Sequence, residues 1–153
     1  MKVVIQRVTR ACVRVDDEIV GDIERGVLVL LGVMKGDGEA QALKLARDVA
    51  TFRIFPEGER GMHLSTLDVG LAALVVSQFT LAADGRKGRR PSFDRAAAPE
   101  VARPLVDRFV GALRDLGVRV ETGQFQASMQ VELVNDGPVT FVLEAVAELS
   151  EGP

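Results

Sequence analysis

The sequence predicts a mixed α/β fold: a mostly antiparallel sheet, curled or barrel-like, with two helices packed on it. Three observations carry this expectation. Up to Val33 the chain holds three apolar runs joined by short turns. Only two later stretches show a helical repeat, and the C-terminal stretch alternates apolar and polar residues on both sides of one Gly-Pro pair. At 153 residues and 47% hydrophobic, the chain is long enough to bury one core, with a single domain expected over 1–146 and a frayed tail over 147–153.

The elements follow in order. Val3 to Val8, Val13 to Ile23 and Val27 to Val33 read as strands, with turns at Asp16-Asp17-Glu18 and Arg25-Gly26. Three adjacent carboxylates invite a metal, but a charged hairpin tip is the better reading. "GDGEAQALKLARDVATF" opens on glycines and turns helical, with Leu45, Val49 and Phe52 at i, i+4 and i+7. Its glycines lack the third glycine and the Lys-Thr pair of a phosphate loop, so a plain helix start is expected. "RIFPEGERGMHL" reads as a loop from its Pro, Gly and charge content, and "LAALVVSQFTLA" as a strongly apolar strand. The polar connection "DGRKGRRPSFDRAAAPE" leads to a helix through "RPLVDRFVGALRDLG". Pro104 is placed as its first residue, although a start one turn earlier is open. Its stripe is Leu105, Phe109, Leu113 (or Ala112) and Leu116, with Gly117 as cap. In "VELVNDGPVTFVLEA", proline lacks a ladder donor and restricts the residue before it, which predicts two strands meeting at a turn.

Composition excludes several chemistries. Cys12 is the only cysteine, which removes intrachain disulfides and cysteine metal sites, and a Ser-His-Asp arrangement would have to use His63, whose place in the loop "GMHLS" reads better as a surface residue. Apolar runs are too short to span a bilayer and "MKVVIQRVTR" has no cleavage site, so the expectation is a cytoplasmic protein with no membrane partner. A net charge of −3 argues against unspecific coating of nucleic acid. With no Trp and no Tyr, any base stacking falls to phenylalanines.

Two stretches stand out. In "VVSQFTL", Ser77, Gln78 and Thr80 interrupt an apolar strand. The two-residue period puts Gln78 and Thr80 on one face and Ser77 with Phe79 on the other. Such polar groups need internal partners or a ligand, unless the strand is simply leaving the core. In "GRKGRRPSF", Arg86, Lys87, Arg89 and Arg90 cluster within an acidic chain, either as a solvated loop or as a phosphate contact.

Together with "IQRVTRA", "GVLVLLGV", "RPSF" and "TGQFQASMQV", the motifs "SQFTL" and "NDGPVT" occur in an order that resembles the D-aminoacyl-tRNA deacylases, the D-tyrosyl-tRNA deacylase family. The likeness runs from Met1 to about Leu143. It implies that family's fold and a homodimer with active sites at the subunit interface. The expected reaction is hydrolysis of the ester between a D-amino acid and the 3′-terminal adenosine of tRNA. Its partner is aminoacyl-tRNA and not DNA, and no cofactor or metal is expected. By the same resemblance, a cis Gly137-Pro138 pair from one subunit screens the α-carbon in the other subunit's site, and Arg7 braces its carbonyls. Glycine, being achiral, should pass that screen.

The resemblance further places Ser77, Gln78, Phe79 and Thr80 at the reacting ester. Amides around Phe79 and Thr80 hold the oxyanion and the terminal 2′-hydroxyl assists water. Thr80 has no visible base and is ranked as a positioning residue. Phe125 and Met129 line the adenine pocket, where ordinary core packing is the plain alternative, and Arg86, Lys87, Arg89 and Arg90 meet phosphate. Departures are local: His63 stands where asparagine is expected, and "AAAPE" lacks a Gly-Ala-Ser lead-in. Two rival functions stand beside this one: an editing module for a wrong L-amino acid, which would keep the sheet but need a filter other than Gly137-Pro138, and a catalytically silent dimer that binds RNA ends or nucleotides through the basic loop.

Overall fold

The computed structural model describes residues 1–148. The elements are β1 (Lys2–Val15), β2 (Glu18–Ile23), β3 (Gly26–Gly32), α1 (Glu39–Thr51), β4 (Arg53–Glu57), β5 (Arg60–Ser65), α2 (Thr66–Val69), β6 (Ala72–Ser77), α3 (Pro99–Asp115), β7 (Arg119–Thr122) and β8 (Gln130–Glu144). A six-stranded sheet runs β2-β1-β3-β6-β7, with β8 along the other side of β1. Pairings of β1 with β2, β3 and β8 are antiparallel, whereas β3-β6 and β6-β7 are parallel. The sheet curls until β2 approaches β7, so closely that a β-carbon at Gly21 would run into the Thr122 carbonyl. The mixed α/β, barrel-like expectation holds, with a parallel half that periodicity did not reveal.

Two apolar clusters follow from strand alternation. Val3, Ile5, Val27, Val29, Ala73 and Val75 face α1 and α3, while Val8, Val13, Leu28, Leu74 and Val76 fill the inside of the curl. Along β1 the odd residues Val3 and Ile5 face the helices, yet odd Ala11 and Val13 lie inside the curl. The phase flips because β1 carries one extra residue, Thr9, between the Val8↔Asn135 and Arg10↔Val134 pairs. The strand expected from Val13 to Ile23 is therefore split: β1 runs on to Val15, and Asp16 and Asp17 turn the chain with φ of 49° and 64°. A two-residue turn with both φ positive matches the twist of its strands, and aspartate tolerates it.

Other expectations are corrected. "RIFPEGERGMHL" is a hairpin, β4-β5, not a loop. Ile54 and Phe55 are buried, and Pro56 needs no donor because it falls at a break in the register of a two-stranded ribbon. A third, short helix, α2, starts at Ser65, whose Oγ accepts from Asp68 N at 3.1 Å while Asp68 Oδ2 accepts from Ser65 N at 2.9 Å. Helix α3 begins at Pro99, five residues before Pro104, because Pro99 fits the first helical position and Ala102 gives the extra turn a buried contact. Pro104 is tolerated on the exposed side, Gly117 turns out of the helix with φ 102°, and Leu116 is exposed. Among the described residues no helix is long and apolar enough to cross a membrane. The expected frayed tail, 147–153, lies outside the described residues from 149 on.

The C-terminal stretch is the largest departure. It is one strand, and both halves pair with β1: Thr140 to Glu144 against Lys2 to Gln6, and Gln130 to Asn135 against Val8 to Arg14. The chain does not turn back. Between Asn135 and Thr140, four residues bulge out opposite the single residue Arg7.

Candidate active site

The bulge Asp136-Gly137-Pro138-Val139 is held from several sides. Arg7 Nε donates to the Asp136 carbonyl at 3.0 Å and lies 3.2 Å from its carboxylate, while Arg7 Nη1 donates to the Ile54 carbonyl at 2.6 Å. The Asn135 amide donates to the Arg7 and Val139 carbonyls at 3.0 and 3.1 Å, closing the neck. Gln6 Nε2 donates to Thr140 Oγ1 at 3.1 Å just below. A β-carbon at Gly137 would run into the Asn135 amide oxygen and sit 2.7 Å from the Val139 nitrogen, so glycine is required by packing. The Gly137-Pro138 peptide bond is cis. Both residues are exposed at the crest. Arg7 thus grips the carbonyl of Asp136, one residue before the pair, and not those of Gly137 or Pro138. Asn135 and Ile54 complete the brace and escaped the sequence reading, although an asparagine before Asp-Gly-Pro is a known turn signal.

A second construction stands at the carboxyl ends of the parallel strands, the usual place for a ligand crevice. Here β6 ends at Ser77, and the chain enters a short 3₁₀ turn, Phe79–Ala82. The strand alternation expected for Gln78 and Thr80 therefore stops: Gln78 Nε2 instead donates to Thr80 Oγ1 at 2.5 Å. Gln78 N bonds back to Leu31 O at 2.7 Å, tying the turn to β3. As the opening residues of a 3₁₀ turn, Phe79 and Thr80 have amides with no backbone acceptor among the described residues.

This turn borders a cavity of about 600 Å³. Ser77, Gln78 and Phe79 form one side; Phe125 and Met129, from the connection after β7, form another, and Ala102 and Val106 of α3 a third. Arg103 places its guanidinium carbon 5.1 Å from the centre of the Phe125 ring. A smaller cavity of about 310 Å³ adjoins it, sharing Ser77, Val106 and Phe125. Phe125 and Met129 are half-buried, each packed against one of the two apolar clusters while also lining the cavity. The α3 and β3 walls were invisible in the sequence, since alanine and valine there look like ordinary packing.

The structure therefore gathers Ser77, Gln78, Phe79, Phe125 and Met129 around one cavity, with Thr80 beside Gln78. It does not bring Gly137 and Pro138 there. Arg7 is level with Val27 of β3 and Ala73 of β6, whereas the cavity is level with Leu31 and Ser77. Four residues of strand separate the two rows, about 13 Å at ~3.3 Å per residue.

The basic loop starts just past the 3₁₀ turn. Its root is closed by Asp84 N to Ser92 O at 2.8 Å and Ser92 N to Asp84 O at 2.9 Å. Arg86 is not a free charge: its guanidinium binds Asp84 at 2.7 Å, and those hydrogen bonds hold the Asp84 carboxyl down at about 2. Lys87, Arg89 and Arg90 are exposed and carry no ion pair among the described residues. His63 sits on the β4-β5 hairpin between Arg53, Arg60 and Glu57, outside the cavity. Cys12 is buried against Glu132, and burial first, then that carboxylate, pushes its thiol up. Among the described residues no three His, Cys, Asp or Glu side chains converge to hold a metal ion.

Comparison with known proteins covers nearly the whole chain. The family described as D-Tyr-tRNA(Tyr) deacylase matches residues 4–144. The D-aminoacyl-tRNA deacylase of Roseiflexus sp. (strain RS-1) is 58% identical over 145 residues, covering 95% of this chain and 94% of that protein. Its counterpart in Pelobacter propionicus is 59% identical over 144 residues, covering 94% and 99%. A solved structure, the c-Myc DNA unwinding element binding protein, superposes with a TM-score of 0.90 at 39% identity, covering 96% of this chain and 100% of that one. With the cavity lined by its "SQFTL" turn and the bulge at its "NDGPVT" motif, the chain belongs to the D-Tyr-tRNA(Tyr) deacylase family.

Proposed function

We propose that this protein hydrolyses the ester joining a D-amino acid to the 3′-terminal adenosine of tRNA, working as a homodimer in the cytoplasm. The observation that carries this reading is the family match over residues 4–144, whose "SQFTL" segment borders the one large cavity described. In this reading the adenine enters between Phe125 and Met129, and the ester carbonyl faces the 3₁₀ turn. The unbonded amides of Phe79 and Thr80 then receive the negative charge that develops on its oxygen as water attacks. An aminoacyl ester is reactive enough for placement and charge stabilisation to suffice. The terminal 2′-hydroxyl assists the water, so no side-chain base is needed. Thr80 supports this division of labour: its hydroxyl oxygen accepts from an amide N–H, and a donor cannot remove its proton.

The chirality filter comes from the second copy. A bulge standing about 13 Å along the ladder from its own cavity does not screen that cavity. Strand β8 pairs with β1 alone among the described residues, which leaves the other edge of a 15-residue strand open, with Val134 and Val142 exposed on it. Long open edges invite pairing with another chain. At the crest, Gly137 has no side chain and Pro138 no N–H, so the polar groups of the pair are two main-chain carbonyls and a single amide, beside the rigid proline ring. A wall of that kind accepts the ammonium group of one enantiomer and collides with the side chain of the other. Glycine has neither hand and is admitted, making glycyl-tRNA a second substrate. Lys87, Arg89 and Arg90 attract the RNA backbone.

Offering D-aminoacyl-, L-aminoacyl- and glycyl-tRNA and following ester loss tests the proposal. Release of the D-ester and glycine alone is expected; cleavage of the L-ester would point to an editing module of the opposite hand, and no turnover to an RNA-end binder. Thr80→Ala should retain measurable hydrolysis, within about tenfold of the unaltered protein, since one lost positioning hydrogen bond is at stake. Complete loss with intact folding would restore a covalent role to Thr80.

A further inference from the structure

We propose that Phe79 and Phe93 form a stacking step for a base of the RNA 3′ end lying outside the cavity, next to the terminal nucleoside. The proposal rests on the reading above, in which the cavity takes that nucleoside. Of the seven phenylalanines, only Phe79 and Phe93 are substantially exposed, at 60% and 37%, in a chain with no Trp or Tyr. They are not scattered: their rings pack edge to face, 5.1 Å between centres at 63°. Phe79 also belongs to the cavity wall, so the pair stands at its rim.

Packing does not account for Phe79. The 3₁₀ turn is seated on the sheet by Ala82, which is buried, and by Leu81, which fills the space a β-carbon at Gly32 would occupy. Phe79 belongs to neither cluster of the core. The loop that delivers Phe93 is closed at its root by the Asp84-Ser92 backbone pair, and Ala96 N caps the Phe93 carbonyl at 3.0 Å. That same loop carries Lys87, Arg89 and Arg90.

A single strand needs two things from a protein surface: cations for its phosphates and apolar rings for its bases. The loop supplies the cations and the pair supplies the rings, in continuity with the cavity. The occupant that fits is the unpaired 3′ end of tRNA, with the terminal nucleoside inside and a neighbouring base on the Phe79-Phe93 step. Stacking is tolerant of base identity because every base offers a flat face, so the step adds affinity without restricting which tRNA is served.

Phe93→Ala is the decisive variant, because Phe93 is not among the groups placed at the reacting ester. Two substrates are compared: a D-aminoacyl ester of adenosine alone, and the same ester on full-length tRNA. The expected result is a fall in kcat/KM of roughly tenfold or more on tRNA, in KM rather than kcat, with the adenosine ester unchanged. Phe93→Tyr should restore tRNA cleavage and Phe93→Leu should not. A 2-aminopurine at the penultimate position of an uncharged RNA 3′ end should be quenched by the unaltered protein and not by Phe93→Ala. An equal fall on both substrates, or full rescue by leucine, would assign the pair to packing and overturn the proposal. A change in sedimentation of Phe93→Ala from dimer to monomer would assign the surface to the second copy, with the same consequence. If the unaltered protein cleaves neither ester, the reading of the site fails as well; cleavage of both with no effect of Phe93→Ala removes the stacking step alone.

Discussion

The Gly137-Pro138 bulge and the Arg86–Arg90 loop are both short departures from the sheet, yet they are built in opposite ways. The bulge is gripped by Arg7, by the Asn135 amide and, through Arg7, by the Ile54 carbonyl, so strands β1, β4 and β8 all hold it. The loop is tied only at its root, through Asp84, Ser92 and Arg86, and its remaining cations stand in solvent. The difference teaches what each is suited to do. Rejecting one enantiomer is a matter of shape, and a wall that gives way rejects nothing. Attracting a polyanion is a matter of charge, which acts across a Debye length of about 8–10 Å and needs no fixed geometry.

The largest effect should come from deforming the bulge. Gly137→Ala forces a β-carbon against the Asn135 amide oxygen and the Val139 nitrogen. Cleavage of the D-ester is expected to fall about 100-fold, since displacement of a site by ~1 Å has that consequence. Near-normal activity in the steady-state assay would mean that the bulge is softer than its bonds suggest, and the contrast would collapse.

Arg7→Ala should come next, destabilising the fold by about 1.5–3 kcal/mol, the range for hydrogen bonds to a charged group, read from the urea midpoint with the slope unchanged. The same change at exposed Arg90 should stay within ~0.5 kcal/mol. Equal losses at the two sites would erase the difference between braced and loose regions.

On the loop, replacing Lys87, Arg89 and Arg90 with Ala should flatten the dependence of log K for tRNA on log salt by roughly two to three units. Arg86→Ala alone should change it little, because Asp84 already neutralises that guanidinium. A large effect of Arg86 alone would show that its ion pair opens on binding.

The smallest effect concerns pH. Asp84 is held at about 2 by hydrogen bonds from the Arg86 side chain and backbone. Because this value lies below that of an unfolded aspartate, the anchoring of the loop root is complete above about pH 4 and fades as pH falls through about 2. The carboxyl carbon shift of Asp84, followed by NMR, should show its midpoint near 2, rising in Arg86→Ala but not the whole way to an ordinary aspartate, because the backbone N–H of residue 86 and the Arg95 charge remain. A midpoint in the ordinary aspartate range in both proteins would remove the Arg86 contact and leave the root to the Asp84-Ser92 backbone pair alone.

Legibility followed the same division. The Arg86–Arg90 cluster was visible because charge is a property of composition, but not that Asp84 engages one of its members. "SQFTL" was visible as a polar interruption, yet strand alternation misplaced Gln78 and Thr80, because only the 3₁₀ turn, in which Leu81 N donates to Gln78 O, shows that β6 has ended at Ser77. "RIFPEGERGMHL" looked like a loop because Pro56 and two glycines outweigh Ile54-Phe55 in a local reading, whereas burial of those two side chains decides the hairpin.

Local patterns by themselves determined the apolar strand runs, the buried positions Leu45, Val49, Phe109 and Leu113 of the two main helices, and that Cys12 and His63 are the only residues of their kinds. These follow from side-chain type and spacing, which act over a few residues. Only the tertiary structure decided that β3, β6 and β7 run parallel and open a cavity at their ends, and that both halves of β8 lie along one partner strand. It alone decided that Gly137-Pro138 stands away from its own cavity. Those outcomes depend on pairings such as Val8↔Asn135 and Leu31↔Ser77, made across long separations in the chain, and no local period encodes which strands will meet.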